Sequence, residues 1–138
     1  MRKTKIKLLI VDDDTSLRTS LSELFSVIGY RVRSASDGVA ALSEIRNEVP
    51  DAILSDLNMP GMSGFELLSI VRGSLPAIKL IAMSGAFSGY KIPSGVTADA
   101  FYEKGGNMHA LLESIEALTR PAVYLPLRPS EQIAEVTG

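Results

Sequence analysis

Cysteine is absent from all 138 residues, so neither a disulfide framework nor a thiolate zinc site can be built. Nothing therefore points to an oxidising compartment, and a cytoplasmic home is expected. Neither sign of charge dominates: 14 basic side chains stand against 16 acidic ones, a net charge of -2. The basic excess of a nucleic-acid binder is missing, and with 46% apolar residues so is the low hydrophobicity of a disordered chain. No apolar run approaches the roughly 20 residues needed to span a bilayer. Ile6 to Val11 follows Arg2, Lys3 and Lys5 in the manner of a signal peptide, but Lys7 interrupts it and Asp12, Asp13 and Asp14 stop it. It reads as a strand. No repeat or low-complexity tract appears, and no glycine-rich phosphate loop follows that strand, where acids stand instead. The expectation is one soluble domain over residues 5–120, followed by a tail, 121–138, holding Pro121, Pro126 and Pro129.

What is present is an alternation of short β-rich runs with longer stretches at helical spacing, the pattern of a parallel sheet covered by helices on both faces. The strand candidates are Lys7 to Val11, Tyr30 to Ser34, Ala52 to Ser55, Ile78 to Met83 and Asp99 to Tyr102. The first helix follows Asp14, with Leu17, Leu21, Leu24, Phe25 and Ile28 on one face, and Gly29 as its C-terminal stop. A second runs from Gly38 to Asn47 with Ala41, Leu42 and Ile45 inward. The third opens on Ser63-Gly64-Phe65-Glu66, a capping box, and is closed by Gly73 and Pro76. The last follows Asn107 and carries Leu111, Leu112, Ile115 and Leu118 before Pro121. Between Ser84 and Asp99 the alternation asks for another helix, but Gly85, Gly89, Pro93 and Gly95 allow only a short or irregular one.

In open parallel sheets ligands bind where the carboxyl ends of strands meet. Asp12, Asp13 and Asp14 follow the first strand, Asp56 ends the third, Ser84 follows the fourth and Lys104 lies just past the fifth. Asp14 is expected to cap the first helix. Unit charges 4 Å apart repel by about 4 kcal/mol at an effective dielectric of 20, so Asp12, Asp13 and Asp56 together call for a cation. An all-oxygen set without His or Cys suits a hard ion, and magnesium takes one or two carboxylates together with phosphate oxygens.

The segments Leu9-Ile10-Val11-Asp12-Asp13-Asp14, Ser55-Asp56-Leu57-Asn58-Met59-Pro60-Gly61-Met62-Ser63-Gly64 and Ala82-Met83-Ser84-Gly85, with the late Lys104, resemble the receiver domain of two-component response regulators. The likeness implies a flavodoxin-like (CheY-like) doubly wound sheet of five parallel strands in the order 2-1-3-4-5. It further implies that Asp56 is the phosphoacceptor, attacking a phosphohistidine on a sensor histidine kinase or phosphotransfer protein. Magnesium would be held by Asp13 and Asp56 directly, by Asp12 through water and by the backbone carbonyl of Asn58. Lys104 and Ser84 would each meet a phosphoryl oxygen, and Phe101 matches the aromatic that turns inward on activation. The downstream partner, unknown in identity, is expected to be a protein; no direct nucleic-acid contact and no membrane are expected. Catalysis would be limited to the chain's own phosphorylation and dephosphorylation.

Phosphoryl transfer asks for positioning and charge neutralisation more than covalent work, which suits this residue set independently of the resemblance. Two departures stand out. Gly105-Gly106 follows Lys104 where the family usually has proline, and Phe101 lacks the hydroxyl of the tyrosine often found there. His109 reads as an ordinary surface residue. The rival of an aspartate-nucleophile phosphatase is weakened because Asp56-Leu57-Asn58 lacks a second carboxylate. A flavin-binding or phosphate-independent scaffold is the other alternative.

Overall fold

The five strands differ sharply in burial, and the difference locates the sheet's centre. The computed structural model describes residues 5–85 and 97–120. β3 (Ala52–Asp56) is buried at every position, and β1 (Lys7–Val11) and β4 (Lys79–Ser84) at all but their first. β2 (Arg31–Ala35) and β5 (Ala100–Glu103) are mostly half-exposed. All pairings are parallel in the order β2-β1-β3-β4-β5, so the buried runs occupy the middle, as expected of a doubly wound sheet. The order reverses between β1 and β3, which places a crevice at their carboxyl ends.

Alternate side chains along each strand feed two separate cores. Leu9, Val11, Ile53, Leu80 and Ala82 meet α2 (Gly38–Asn47) and α3 (Gly64–Ser74) through Ala41, Ile45, Leu67, Leu68 and Val71. Leu8, Ile10, Leu54, Ile81 and Met83 face the other way, onto Leu21 and Phe25 of α1 (Thr15–Ile28) and Leu111 and Ile115 of α4 (Met108–Thr119). Each fully buried Leu, Ile or Phe contributes roughly 1.5–3 kcal/mol by leaving water. Phe25 also meets Tyr30 edge to face at 5.5 Å.

The helix boundaries follow their caps. The Asp14 carboxylate accepts from Leu17 N–H and that of Asp37 from Ala40 N–H. Ser63 and Glu66 form the reciprocal capping box read from the sequence, and Asn107 accepts from His109 and Ala110. Gly29 stops α1 with its N–H on Phe25 and Ser26 carbonyls.

Several boundaries differ from the sequence reading. β3 and β4 each run one residue further, through Asp56 and Ser84, because a ladder is a backbone property and polar side chains do not end it. β2, β4 and β5 begin one residue later than Tyr30, Ile78 and Asp99, and β2 and β5 also end one residue later, on Ala35 and Glu103. Gly73 lies inside α3, which closes at Leu75 with its N–H on the Val71 carbonyl. Ile28 is 48% exposed, although its spacing placed it inward. The helix expected to be short or irregular falls mainly on 86–96, outside the described residues, as does the tail 121–138. Among the described residues no helix is long and apolar enough to cross a membrane.

Candidate functional site

Asp12 is held at the end of β1 by its surroundings on three sides. Its N–H extends the ladder to the Ala35 carbonyl at 3.1 Å, and its Oδ1 accepts the Asp14 N–H at 2.8 Å. Its carbonyl accepts from Arg18 Nη1 at 2.6 Å. Asp56, the last residue of β3, lies in register with Met83, and the next N–H, of Leu57, donates to the Met83 carbonyl at 2.9 Å. Ser84 ends β4 opposite Glu103, and its carbonyl accepts the Lys104 N–H at 3.0 Å. Four strand ends thus deliver four of the expected groups to one mouth.

Three carboxylates gather there. Oxygens of Asp12, Asp13 and Asp56 lie within 4.8 Å of one another, with Asp12 and Asp56 buried and Asp13 exposed. Lys104 Nζ reaches Asp12 Oδ2 at 3.0 Å and Asp56 Oδ2 at 3.1 Å. Among the described residues the buried Asp12 Oδ2 has that ammonium as its one partner. Asp56 Oδ1 accepts the Asn58 N–H at 3.2 Å, and the Asn58 carboxamide donates to Ser84 Oγ at 3.3 Å.

Burial pushes the Asp56 carboxyl above its ordinary value and the Asp12 carboxylate adds to this, while the Asn58 N–H and Lys104 oppose it without cancelling it. Burial works against the Lys104 ammonium, yet hydrogen bonding and charge from Asp12 and Asp56 together hold it above the usual lysine value. The lysine stays charged. With all three carboxylates ionised, the Lys104 ammonium is the one ion-pair partner they have among the described residues, an excess of negative charge that fits a divalent cation. The all-oxygen donors and the underused Asp12 Oδ2 suit a hard ion.

Phe101 lies across from Ala82 in the β4–β5 register, half-buried against the α2/α3 core. His109 is exposed and 3.6 Å from Glu113, an ordinary surface pair. Three features escaped the sequence reading: Arg18 on the Asp12 carbonyl, the Asn58 side chain on Ser84, and Tyr102, whose hydroxyl donates to the Gly106 carbonyl at 3.1 Å. Arg18 alone left a signal, one helical turn beyond the cap Asp14.

A parallel five-stranded sheet with acids at the ends of β1 and β3 and a lysine after β5 defines a class, and comparison with known proteins identifies it. The model of the response regulator receiver domain matches residues 8–116, and the chain belongs to that family. Response regulator MprA of Mycobacterium tuberculosis is 33% identical over 117 residues, covering 83% of this chain and 51% of MprA. The chain thus spans about half the length of the curated relatives it first matches. The chemotaxis response regulator CheY4 of Vibrio cholerae superposes with a TM-score of 0.75 at 32% identity, over 83% of this chain and 99% of that one. TrrA of Thermotoga maritima, solved in complex with Mg2+ and BeF, gives 0.75 at 30% identity, over 82% and 98%.

Proposed function

We propose that this receiver is a phosphorylation switch in which Asp56 takes a phosphoryl group from a phosphohistidine on a sensor histidine kinase or phosphotransfer protein. The observation that carries the reading is the buried Asp56 carboxylate, 3.1 Å from a Lys104 ammonium that also lies 3.0 Å from Asp12. An Asp56 oxygen attacks phosphorus as the P–N bond breaks and the histidine leaves as imidazole; hydrolysis of the acyl phosphate later restores the carboxylate. Lys104 would take up charge on one phosphoryl oxygen and the Ser84 hydroxyl would donate to another. Asp12, Asp13, Asp56 and the Asn58 carbonyl would hold magnesium, which neutralises phosphoryl charge when bound.

The phosphorylated form then changes a contact with another protein, and the chain's own catalysis goes no further than its phosphorylation and dephosphorylation. Asn58 in place of a second carboxylate supports this over a phosphatase, because no acid-base group stands two residues beyond the nucleophile. The balanced charge and the lack of a spanning helix among the described residues support a cytoplasmic protein without direct nucleic-acid or membrane contact.

Mass spectrometry after incubation with acetyl phosphate and magnesium tests the reading. One phosphoryl group is expected on the wild type and none on Asp56→Asn or without metal. Phosphate on Ser84 or His109, or turnover of simple phosphate esters, would overturn it.

A further inference from the structure

Lys104 must be held over two carboxylates, yet it is followed by two glycines, which carry more backbone freedom than any other pair of residues. The structure shows what restrains them. The Glu103 carbonyl accepts the Gly106 N–H at 2.8 Å, closing a turn around Lys104 and Gly105. Gly105 has φ +80°, the left-handed third position of a type II turn. At its start the turn is tied to β4 by Lys104 N–H on the Ser84 carbonyl. Its far end is tied through Gly106, whose carbonyl accepts the Tyr102 hydroxyl at 3.1 Å, just before the α4 cap Asn107. Tyr102 is 8% exposed and its ring is packed in the α1/α4 core, so the hydroxyl is a fixed post. Burial pushes the phenol up, and it remains a donor throughout the neutral range.

We propose that Tyr102 is the positioning residue for Lys104: its hydroxyl, acting through the Gly106 carbonyl, rigidifies the glycine turn and so fixes the ammonium over Asp12 and Asp56. The inference rests on Lys104 being the phosphoryl partner proposed above. A misplacement of 1 Å at a reacting centre can cost about 100-fold in rate, so a turn released at one end should slow phosphorylation well beyond its effect on stability.

The test compares wild type, Tyr102→Phe, Lys104→Ala and the double variant in acetyl phosphate and magnesium, timing phosphorylation by mass spectrometry. Tyr102→Phe keeps the ring; it is expected to melt within about 5 °C of wild type, the effect of one net hydrogen bond. Its phosphorylation should slow several-fold, with no further slowing when the phenylalanine is added to Lys104→Ala. Without any ligand, amide exchange at Gly106 should quicken in Tyr102→Phe. Gly106→Ala is a second route to the same turn, because a Cβ there would stand 2.8 Å from the Glu103 carbonyl oxygen; it should slow phosphorylation too. A Tyr102→Phe protein as fast as wild type, or one whose loss persists undiminished without Lys104, overturns the proposal. A wild type that takes no phosphoryl group removes the site reading and this inference with it.

Discussion

Two glycines of α3 should respond to alanine with opposite signs, and the contrast isolates what fixes Asp56. A Cβ on Gly64 would lie 2.0 Å from the Asp56 carbonyl oxygen, 2.6 Å from Leu57 Cα and 2.8 Å from the Asp56 carbonyl carbon. All three are backbone atoms, so no side chain can swing away. Ordinary contact begins near 3.4 Å, and the helix start and the end of β3 must part by the difference. That separation strains or breaks the Gly64 N–H bond to the Leu57 carbonyl, now 3.0 Å. Overpacking contributes about 3 kcal/mol and the bond about 1 kcal/mol, against roughly 0.7 kcal/mol gained by restricting the unfolded chain. A net loss of about 3 kcal/mol should lower the melting temperature by roughly 12 °C and, by moving Asp56, slow its phosphorylation. Gly73, in the same helix, has nothing among the described residues within 4 Å of its would-be Cβ. Gly73→Ala should therefore raise stability by about 0.7 kcal/mol, or roughly 3 °C. Circular dichroism melts of the two variants side by side give the comparison. A Gly64→Ala protein that melts within 3 °C of wild type, to take about one-quarter of the expected shift as the limit, would refute the backbone-clash argument.

Asp13 is exposed, and its carboxylate lies within 4.8 Å of those of Asp12 and Asp56, so at water's dielectric each pair costs about 0.9 kcal/mol before screening. Asp13→Asn should thus raise the metal-free melting temperature by a few degrees, about 1 kcal/mol, and shrink the rise that millimolar magnesium gives the wild type. Differential scanning fluorimetry decides, and unchanged curves for both would count against a cation site. Glu48 offers a pH test: partial desolvation pushes its carboxyl up, but Arg31 and Lys7 outweigh this and hold it below its ordinary 4.5. A lowered folded value means stability that is complete above 4.5 and lost as pH falls through the folded value. Wild type should therefore lose melting temperature faster than Glu48→Gln below that point, and parallel curves would exclude the ion-pair origin.

Local chemistry was legible in the sequence and long-range reach was not. The bounds of α2, the capping box of Ser63 and Glu66, and the Asp14 and Asn107 caps depend on residues within four positions, and the sequence displays them whole. The ends of β3 and β4 were misjudged by one residue because apolar patterning reports side chains, whereas Asp56 and Ser84 join the ladder through backbone. Gly73 looked like a stop, but a glycine costs only about 1 kcal/mol in a helix, less than the burial of Val71 on the same turn returns. The convergence of Asp12, Asp56 and Lys104 on one mouth could be anticipated from strand order. That one ammonium is shared between two carboxylates could not, since it depends on the path of a turn whose restraint comes from Tyr102.

The resting contacts explain why chemistry at Asp56 should be felt beyond it. Lys104 is committed to two carboxylates, and Ser84 Oγ accepts from the Asn58 carboxamide. Under the proposed reading, a phosphoryl group on Asp56 brings anionic oxygens that compete for both the ammonium and the hydroxyl, and charge-assisted bonds of this kind are about twice as strong as neutral ones. The backbones of Lys104 and Ser84 are also joined, the Lys104 N–H donating to the Ser84 carbonyl at 3.0 Å. The Ser84 side chain is buried, so under that reading a phosphoryl oxygen would be met by a shift at the end of β4 or in the turn after β5. Phe101 sits on that same β5, opposite Ala82 and only half-buried, where a small shift of backbone changes how much of its ring the core can cover. Under that same proposed reading, the energy of a few charged contacts at a strand end would be converted into a change of apolar surface, the form in which another protein could read it.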